Sequence, residues 1–155
     1  MISGNRTLFI QLALLCLLSY QTVAQPAATL RQTESDSLKL DYIKDFRIKI
    51  DGGGSYFTCD STALAQKKYI LVISAENVAF INVKDSYVYL KRTKRTVSGD
   101  SLYTDIYSGG GYKIILVAAR ESPVVDHSST YKGTMQVKYK GSTLNVKVHG
   151  RVDSY

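Results

Sequence analysis

The chain has 155 residues, with 20 Lys and Arg against 13 Asp and Glu, which gives a net charge of +7. This length argues against a multidomain protein, and the positive charge favours anionic partners over cationic ones. The composition of 12 Tyr, 2 Met and no Trp suits sheets better than helices.

The first 24 residues have the order of a secretory signal peptide. A single charge, Arg6, precedes an apolar run over residues 8–18, and small and polar residues follow. The run is well short of the ~20 apolar residues that a membrane-spanning helix needs. We therefore predict a signal peptide over residues 1–24, cleaved between Ala24 and Gln25. The remaining chain is then exported to the periplasm or outside the cell, with no transmembrane anchor and a net charge of +6, because only Arg6 is lost.

Residues 25–37 are polar and show no apolar period, which predicts a flexible leader before a β domain over residues 38–155. In the first predicted strand, residues 46–50, Phe46 and two isoleucines alternate with Arg and Lys. A glycine-rich turn is predicted over residues 51–55, a second strand over 56–60, and the only short helical stretch over 61–68.

Further strands are indicated by apolar alternation or short β-branched runs between turn signals. They are predicted over residues 69–74, 78–83, 87–96, 102–107 and 112–119. With the last hairpin, this pattern predicts an all-β domain of about seven to eight antiparallel strands, and barrel and sandwich both remain open.

The last hairpin predicts its own register. With Lys140 and Gly141 as a two-residue turn, one face pairs Val137 with Leu144, Met135 with Val146 and Gly133 with Val148. The other face then pairs Lys138 with Thr143, Gln136 with Asn145 and Thr134 with Lys147. Slipping this register by one residue would turn the charges inward.

Candidate catalytic groups are few. His127, between Asp126 and Ser128, cannot form a triad with its neighbours, because the three groups must converge from separate positions. His149 is predicted opposite Lys132 on a solvated face, and Cys59 is predicted as a small buried thiol. The glycines at 52–54 and 109–111 are interpreted as hairpin turns and not as phosphate loops. We predict no enzyme, no cofactor and no metal site.

The densest charge lies at Lys91, Arg92, Lys94 and Arg95. On a regular strand, Lys91 and Arg95 share one face while Arg92 and Lys94 share the other, so the segment must be an edge or a projecting strand end. It either prevents strand-to-strand aggregation or contacts an anion. In the second interpretation the supporting aromatics are Tyr87, Tyr89 and Tyr103.

Two resemblances are carried by short motifs. The signal ending Val23-Ala24-Gln25, with the segments at residues 131–134 and 146–150, resembles small exported β proteins of Bacteroidetes-type bacteria. The order of Cys59, paired strands and the loop Ser98-Gly99-Asp100-Ser101-Leu102-Tyr103 resembles MliC-type periplasmic lysozyme inhibitors, which are eight-stranded barrels. That loop has one residue more than the inhibitor pattern, and Cys59 has no partner cysteine once the signal is removed.

The sequence therefore predicts an exported, non-catalytic β module that binds an anionic envelope component or a protein partner through residues 91–95. The alternative is a lysozyme-type enzyme inhibitor, although a basic chain would meet a basic lysozyme with like charge. The tyrosines alternate with apolar residues as core partners do, so no nucleic acid is predicted as a partner.

Overall fold

The computed structural model describes residues 37–46 and 53–154 as a closed barrel of eight strands. Each strand pairs antiparallel with the next along the chain, and the first pairs with the last. The elements are β1 (Gly53–Thr58), α1 (Ser61–Ala65), β2 (Leu71–Ser74), β3 (Val78–Val83), β4 (Ser86–Ser98), β5 (Leu102–Gly109), β6 (Tyr112–Arg120), β7 (Ser128–Tyr139) and β8 (Ser142–Ser154). The predicted all-β class is confirmed. Of the two alternatives left open, the structure is a barrel and not a sandwich.

The β7–β8 hairpin has the predicted register at every pair. Lys140 and Gly141 form its turn with φ of 45° and 83°, as a type I′ connection requires. Met135 and Val137 are buried, whereas Lys138 and Lys147 are exposed, so the hairpin sorts its side chains by period two. His149 lies opposite Lys132, also as predicted.

The interior of the barrel is filled by side chains, as expected for a barrel of this strand number. Phe57 of β1 packs there against Gly150 of β8, where a Cβ atom would overlap the phenyl ring. The buried residues of this cluster include Phe57, Leu71, Ile81, Leu90, Tyr107, Ile114, Leu116, Met135, Val137 and Val148.

The segment at residues 37–46 covers one end and part of one wall. Leu38 and Leu40 pack against the interior cluster. Asp41 and Ile43 then form isolated antiparallel bridges to Asn82 and Tyr69 on the outside. Ile43 is buried there in a second cluster with Tyr69, Val72 and Phe80.

Several boundaries differ from the prediction. The structure does not describe residues 1–36 and 47–52. The predicted signal peptide, most of the predicted leader and most of the first predicted strand therefore lie outside the described residues. Phe46 is 49% exposed and belongs to none of the strands. The turn predicted through Ser55 is wrong from Gly53 onward, because this stretch opens β1 and pairs with both β2 and β8.

The prediction of a buried Cys59 is also wrong. β1 ends at Thr58, and Asp60 caps α1 by accepting a hydrogen bond of 2.7 Å from the amide of Ala63. Cys59 therefore lies exposed at a strand-to-helix junction instead of inside a strand. α1, at Ser61–Ala65, is shorter than the helical stretch predicted over 61–68. Among the described residues, no helix has both the length and the apolarity to cross a membrane.

Candidate functional site

A β-bulge in β4 sets the direction of the predicted cationic side chains. Arg92 pairs with Tyr107 and Lys94 pairs with Ile106, which leaves Thr93 as the extra residue. The Thr93 hydroxyl donates a 3.1 Å hydrogen bond to the carbonyl oxygen of Ile106. An extra residue changes the parity of the strand, so side chains three positions apart share a face. The strict alternation predicted for this segment is therefore wrong.

After the bulge, Arg92 and Arg95 both point toward the barrel axis. Their cross-strand partners, Tyr107 and Asp105, are fully buried. Lys91 and Lys94 are exposed and lie on the outer face. The four cations thus divide into an inner arginine pair and an outer lysine pair.

The segment is an open strand edge, one of the two placements expected from its charge. β3 pairs with β4 as far as Val78 and Lys91, and beyond that point β4 pairs with β5. The amide of Arg92 makes a last contact across the gap by donating to the carbonyl oxygen of Asn77 at 3.1 Å. Beyond this contact, within the described residues, β4 pairs with β5 alone, so residues 93–98 have one open edge.

Asp105 is the centre of a polar network at this end of the barrel. Its side chain is fully buried and accepts hydrogen bonds from Arg95 Nε at 2.7 Å and Arg95 Nη2 at 2.6 Å. The hydroxyl of Tyr107 donates to Asp105 Oδ2 at 2.9 Å. Arg92 Nη1 lies 3.8 Å from the same oxygen. A buried carboxylate is stable only when it is paired and hydrogen-bonded, and this network meets both conditions.

The hydrogen bond to Asp105 raises the pKa of Arg95, so its guanidinium stays charged. Burial, and then the nearby Asp105 carboxylate, raise the pKa of Tyr103 and Tyr107 well above the usual value. Both hydroxyls therefore stay protonated at neutral pH. Tyr107 can thus serve as a hydrogen-bond donor to Asp105.

A cavity of about 340 Å³ opens beside this network. The two arginines line it together with Tyr103 of β5 and Tyr131 of β7. Arg95 lies over the Tyr103 ring at 4.7 Å, and the two tyrosine rings meet edge to face at 5.5 Å. The remaining lining residues are Gly53, Gly54, Ser55, Ile73, Ser74, Ala75, Asn77, Val152 and Asp153.

The charges around this cavity do not balance. Arg95 and Asp105 form a close bidentate pair, which accounts for one positive and one negative charge. Arg92 is a second cation with a side chain 22% exposed. Asp153, the acid that lines the cavity, accepts a hydrogen bond from Ser128 at 2.8 Å and pairs with Arg151 at 2.9 Å. One guanidinium therefore faces the cavity in excess.

The other predicted aromatics lie elsewhere. Tyr87 and Tyr89 flank Phe80 on the outer wall, with ring centroids 6.3 and 6.2 Å from it. Of the predicted site residues, the structure brings together Arg92, Arg95 and Tyr103. It does not bring the outer lysines or the other two tyrosines to this cavity.

Sequence reasoning missed Asp105 and Tyr131. A signal for Asp105 was present, because alternation in β5 places it on the same face as Tyr103 and Tyr107, where an acid needs a partner. For Tyr131 no local signal existed, since its contact with Tyr103 depends on the order of β5, β6 and β7 in the barrel.

The remaining reactive side chains lie away from this end. His127 is exposed in the β6–β7 connection, and neither it nor His149 nor Cys59 lines the cavity described above. Burial, and then the Asp60 carboxylate, raise the pKa of the Cys59 thiol, which disfavours the reactive thiolate. In the part of the chain that the structure describes, no three His, Cys, Asp or Glu side chains are grouped as metal ligands.

No family model, curated protein or solved structure matches this chain. The two resemblances of the sequence therefore stay predictions.

Proposed function

We propose that this protein is an exported, non-catalytic β module that binds an anionic ligand at the β4–β5 end of its barrel. One observation carries the proposal. Arg92 and Arg95 converge on the single carboxylate of Asp105 beside a cavity of about 340 Å³. The ligand contributes the second anionic group.

A purely structural role explains Arg95 better than Arg92. The bidentate bond from Arg95, with the Tyr107 hydroxyl, already gives Asp105 three hydrogen bonds. A second cation at 3.8 Å adds repulsion between guanidinium groups as well as attraction to the carboxylate. Within the described residues, the guanidinium of Arg92 makes this ion pair and no hydrogen bond. Its N–H groups are therefore suited to a carboxylate or phosphate in the cavity.

The bulge supports the same interpretation. Bulges are common beside functional sites, where they change the direction of a side chain. Here the bulge at Thr93 turns Arg95 to the same side as Arg92. The predicted signal peptide and the basic composition favour an anionic component of the cell envelope as the partner.

The test is a titration of the purified protein with sodium acetate, followed by nitrogen-edited proton NMR. Arg92→Gln is expected to weaken acetate binding roughly ten- to hundredfold, since a charge-assisted hydrogen bond contributes about 1.5–3 kcal/mol. The matched control is Lys113→Gln with Lys138→Gln, a cross-strand pair of exposed lysines on another wall. The control is expected to bind acetate as the wild type does.

A further variant, Lys91→Gln with Lys94→Gln, separates the two faces of β4. If the outer lysines form the site, this double variant loses acetate binding and Arg92→Gln does not. That result would contradict the proposal, as would the absence of acetate shifts at Arg92, Arg95 and Tyr103.

Inhibition of a lysozyme-type enzyme is the second candidate. It is favoured by the β4–β5 hairpin, because the Ser98–Tyr103 segment that resembles the inhibitors forms the tip of this hairpin. The purified protein added to a lysozyme clearing assay decides between the two. Inhibition that survives Arg92→Gln would support the inhibitor and not the anion-binding module.

A further inference from the structure

Two exposed apolar side chains lie next to the arginine pair. Val97 of β4 and Leu102 of β5 are 64% and 37% exposed. They line a second cavity of about 160 Å³ together with Arg95, Asp100, Ser101, Tyr103 and Tyr131. Arg95, Tyr103 and Tyr131 also line the cavity of about 340 Å³, so the two spaces share one wall.

The position of Val97 follows from the bulge. Val97 pairs with Tyr103, and after the bulge it is on the same side of β4 as Arg95. The ring of Tyr103 therefore lies beside two side chains of β4, the guanidinium of Arg95 and the isopropyl group of Val97. Leu102 is one residue from the turn and pairs with Ser98. A charged group and apolar groups thus face the same small space.

We propose that the ligand of this site is an amphiphilic monocarboxylate, with its carboxylate on Arg92 and Arg95 and its alkyl chain against Val97, Leu102 and the tyrosine rings. This inference rests on the proposed function and adds the class of ligand. The geometry leaves a donor for the carboxylate on each arginine, because Arg95 uses Nε and Nη2 for Asp105 and keeps Nη1. Arg92, Arg95 and Asp105 together leave one positive charge for the carboxylate, while Asp100 lines only the second cavity, which holds the alkyl chain.

The length of the chain follows from the size of the second cavity. At the ~30 Å³ that a water-sized group occupies, a volume of about 160 Å³ holds roughly five methylene groups. Full burial of one methylene strengthens binding about fourfold. This cavity is open to solvent at Val97, so we expect the affinity to rise about two- to fourfold per methylene. The rise should stop near a six-carbon acid.

The experiment compares acetate, butyrate, hexanoate and octanoate on the purified protein, with dissociation constants from NMR titration. Wild-type affinity is expected to rise from acetate to hexanoate and to level off at octanoate. Val97→Ser with Leu102→Ser is expected to keep acetate affinity and to lose most of the dependence on chain length. The control is Val124→Ser with Val125→Ser, because these valines are 55% and 61% exposed but line neither cavity.

The outcomes separate this inference from the proposed function. Acetate binding that depends on Arg92, with no gain for longer acids, would overturn the amphiphile and leave the anion site intact. A gain that the Val97→Ser, Leu102→Ser variant does not reduce would place the chain elsewhere and would also overturn the inference. No binding of any of the four acids would overturn both proposals.

Discussion

Replacing Asp105 by Asn tests the network on which the site depends. The substitution keeps the size of the side chain and removes its charge. One amide oxygen remains as an acceptor, but the NH₂ group then faces an N–H group of Arg95, so one of the bonds of 2.6 and 2.7 Å is lost. Arg92 and Arg95 are left as two cations without a buried counter-charge.

The expected loss of unfolding free energy is about 3 kcal/mol. Breaking a buried ion pair by removing one partner costs about 3–5 kcal/mol. The lower figure applies because the Arg95 side chain is 43% exposed and can be rehydrated. In a domain of this size, 1 kcal/mol changes the thermal midpoint by roughly 4 °C, so Asp105→Asn should lower it by about 12 °C.

Thermal and urea unfolding followed by circular dichroism measure this loss. The matched control is Asp85→Asn, whose carboxylate is 84% exposed and pairs with Lys44 at 3.7 Å. The control should change stability by less than about 0.5 kcal/mol. Adding Arg92→Gln to Asp105→Asn should restore about 1 kcal/mol of the unfolding free energy, because it removes one of the two cations that lack a counter-charge. Equal midpoints for Asp105→Asn and Asp85→Asn would refute the buried network.

Four further substitutions or deletions test other parts of the structure. Tyr107→Phe removes the hydroxyl that donates to Asp105, so stability at neutral pH should fall by about 1.5–3 kcal/mol. Burial raises the pKa of Tyr107 above the ordinary 10.0, so the stability of the wild type falls as the pH rises above about 10. Urea unfolding should show that stability falls less steeply with pH in Tyr107→Phe, by about 1.4 kcal/mol per pH unit. Gly133→Ala should cost at least about 3 kcal/mol in the same assay, since its Cβ would overlap the carbonyl oxygen of Val117, and tolerance of alanine would contradict this packing. Deletion of Thr93, the bulge residue, keeps every pair of β4 and β5, so it should cost only about 1 kcal/mol and retain acetate binding. Deletion of one residue from the facing stretch of β5 should prevent folding, and equal effects of the two deletions would argue against the bulge.

The features that could be predicted from sequence are those with local causes. The β7–β8 register follows from a two-residue turn and a period of two, and the structure has every predicted pair. β3, at Val78–Val83, has the predicted bounds for the same reason, because turn residues flank a short apolar run. Local alternation contains enough information for a hairpin.

Closure of the barrel and the inner arginine pair have no such local cause. Closure depends on pairs such as Phe57 with Gly150, which are distant in sequence. The sequence therefore could not distinguish a barrel from a sandwich. The bulge at Thr93 involves no glycine or proline that would mark it. A single extra residue was enough to reverse the predicted face of Arg95.

The two ends of the barrel differ in their charged groups, and this difference supports the proposed binding site. The interior between them is filled by apolar side chains, so a ligand cannot enter deeply. At one end, Leu38 and Leu40 extend that apolar interior, and an open cavity of about 800 Å³ there is lined by lysines of the surface and, among the described residues, by no arginine. At the other, the bulge of β4 supplies guanidinium groups and β5 supplies Asp105, the buried acid that keeps them in place. A charge held at the end of a filled barrel is partly desolvated yet reachable from solvent, and an anion there gains more than it would on the outer wall.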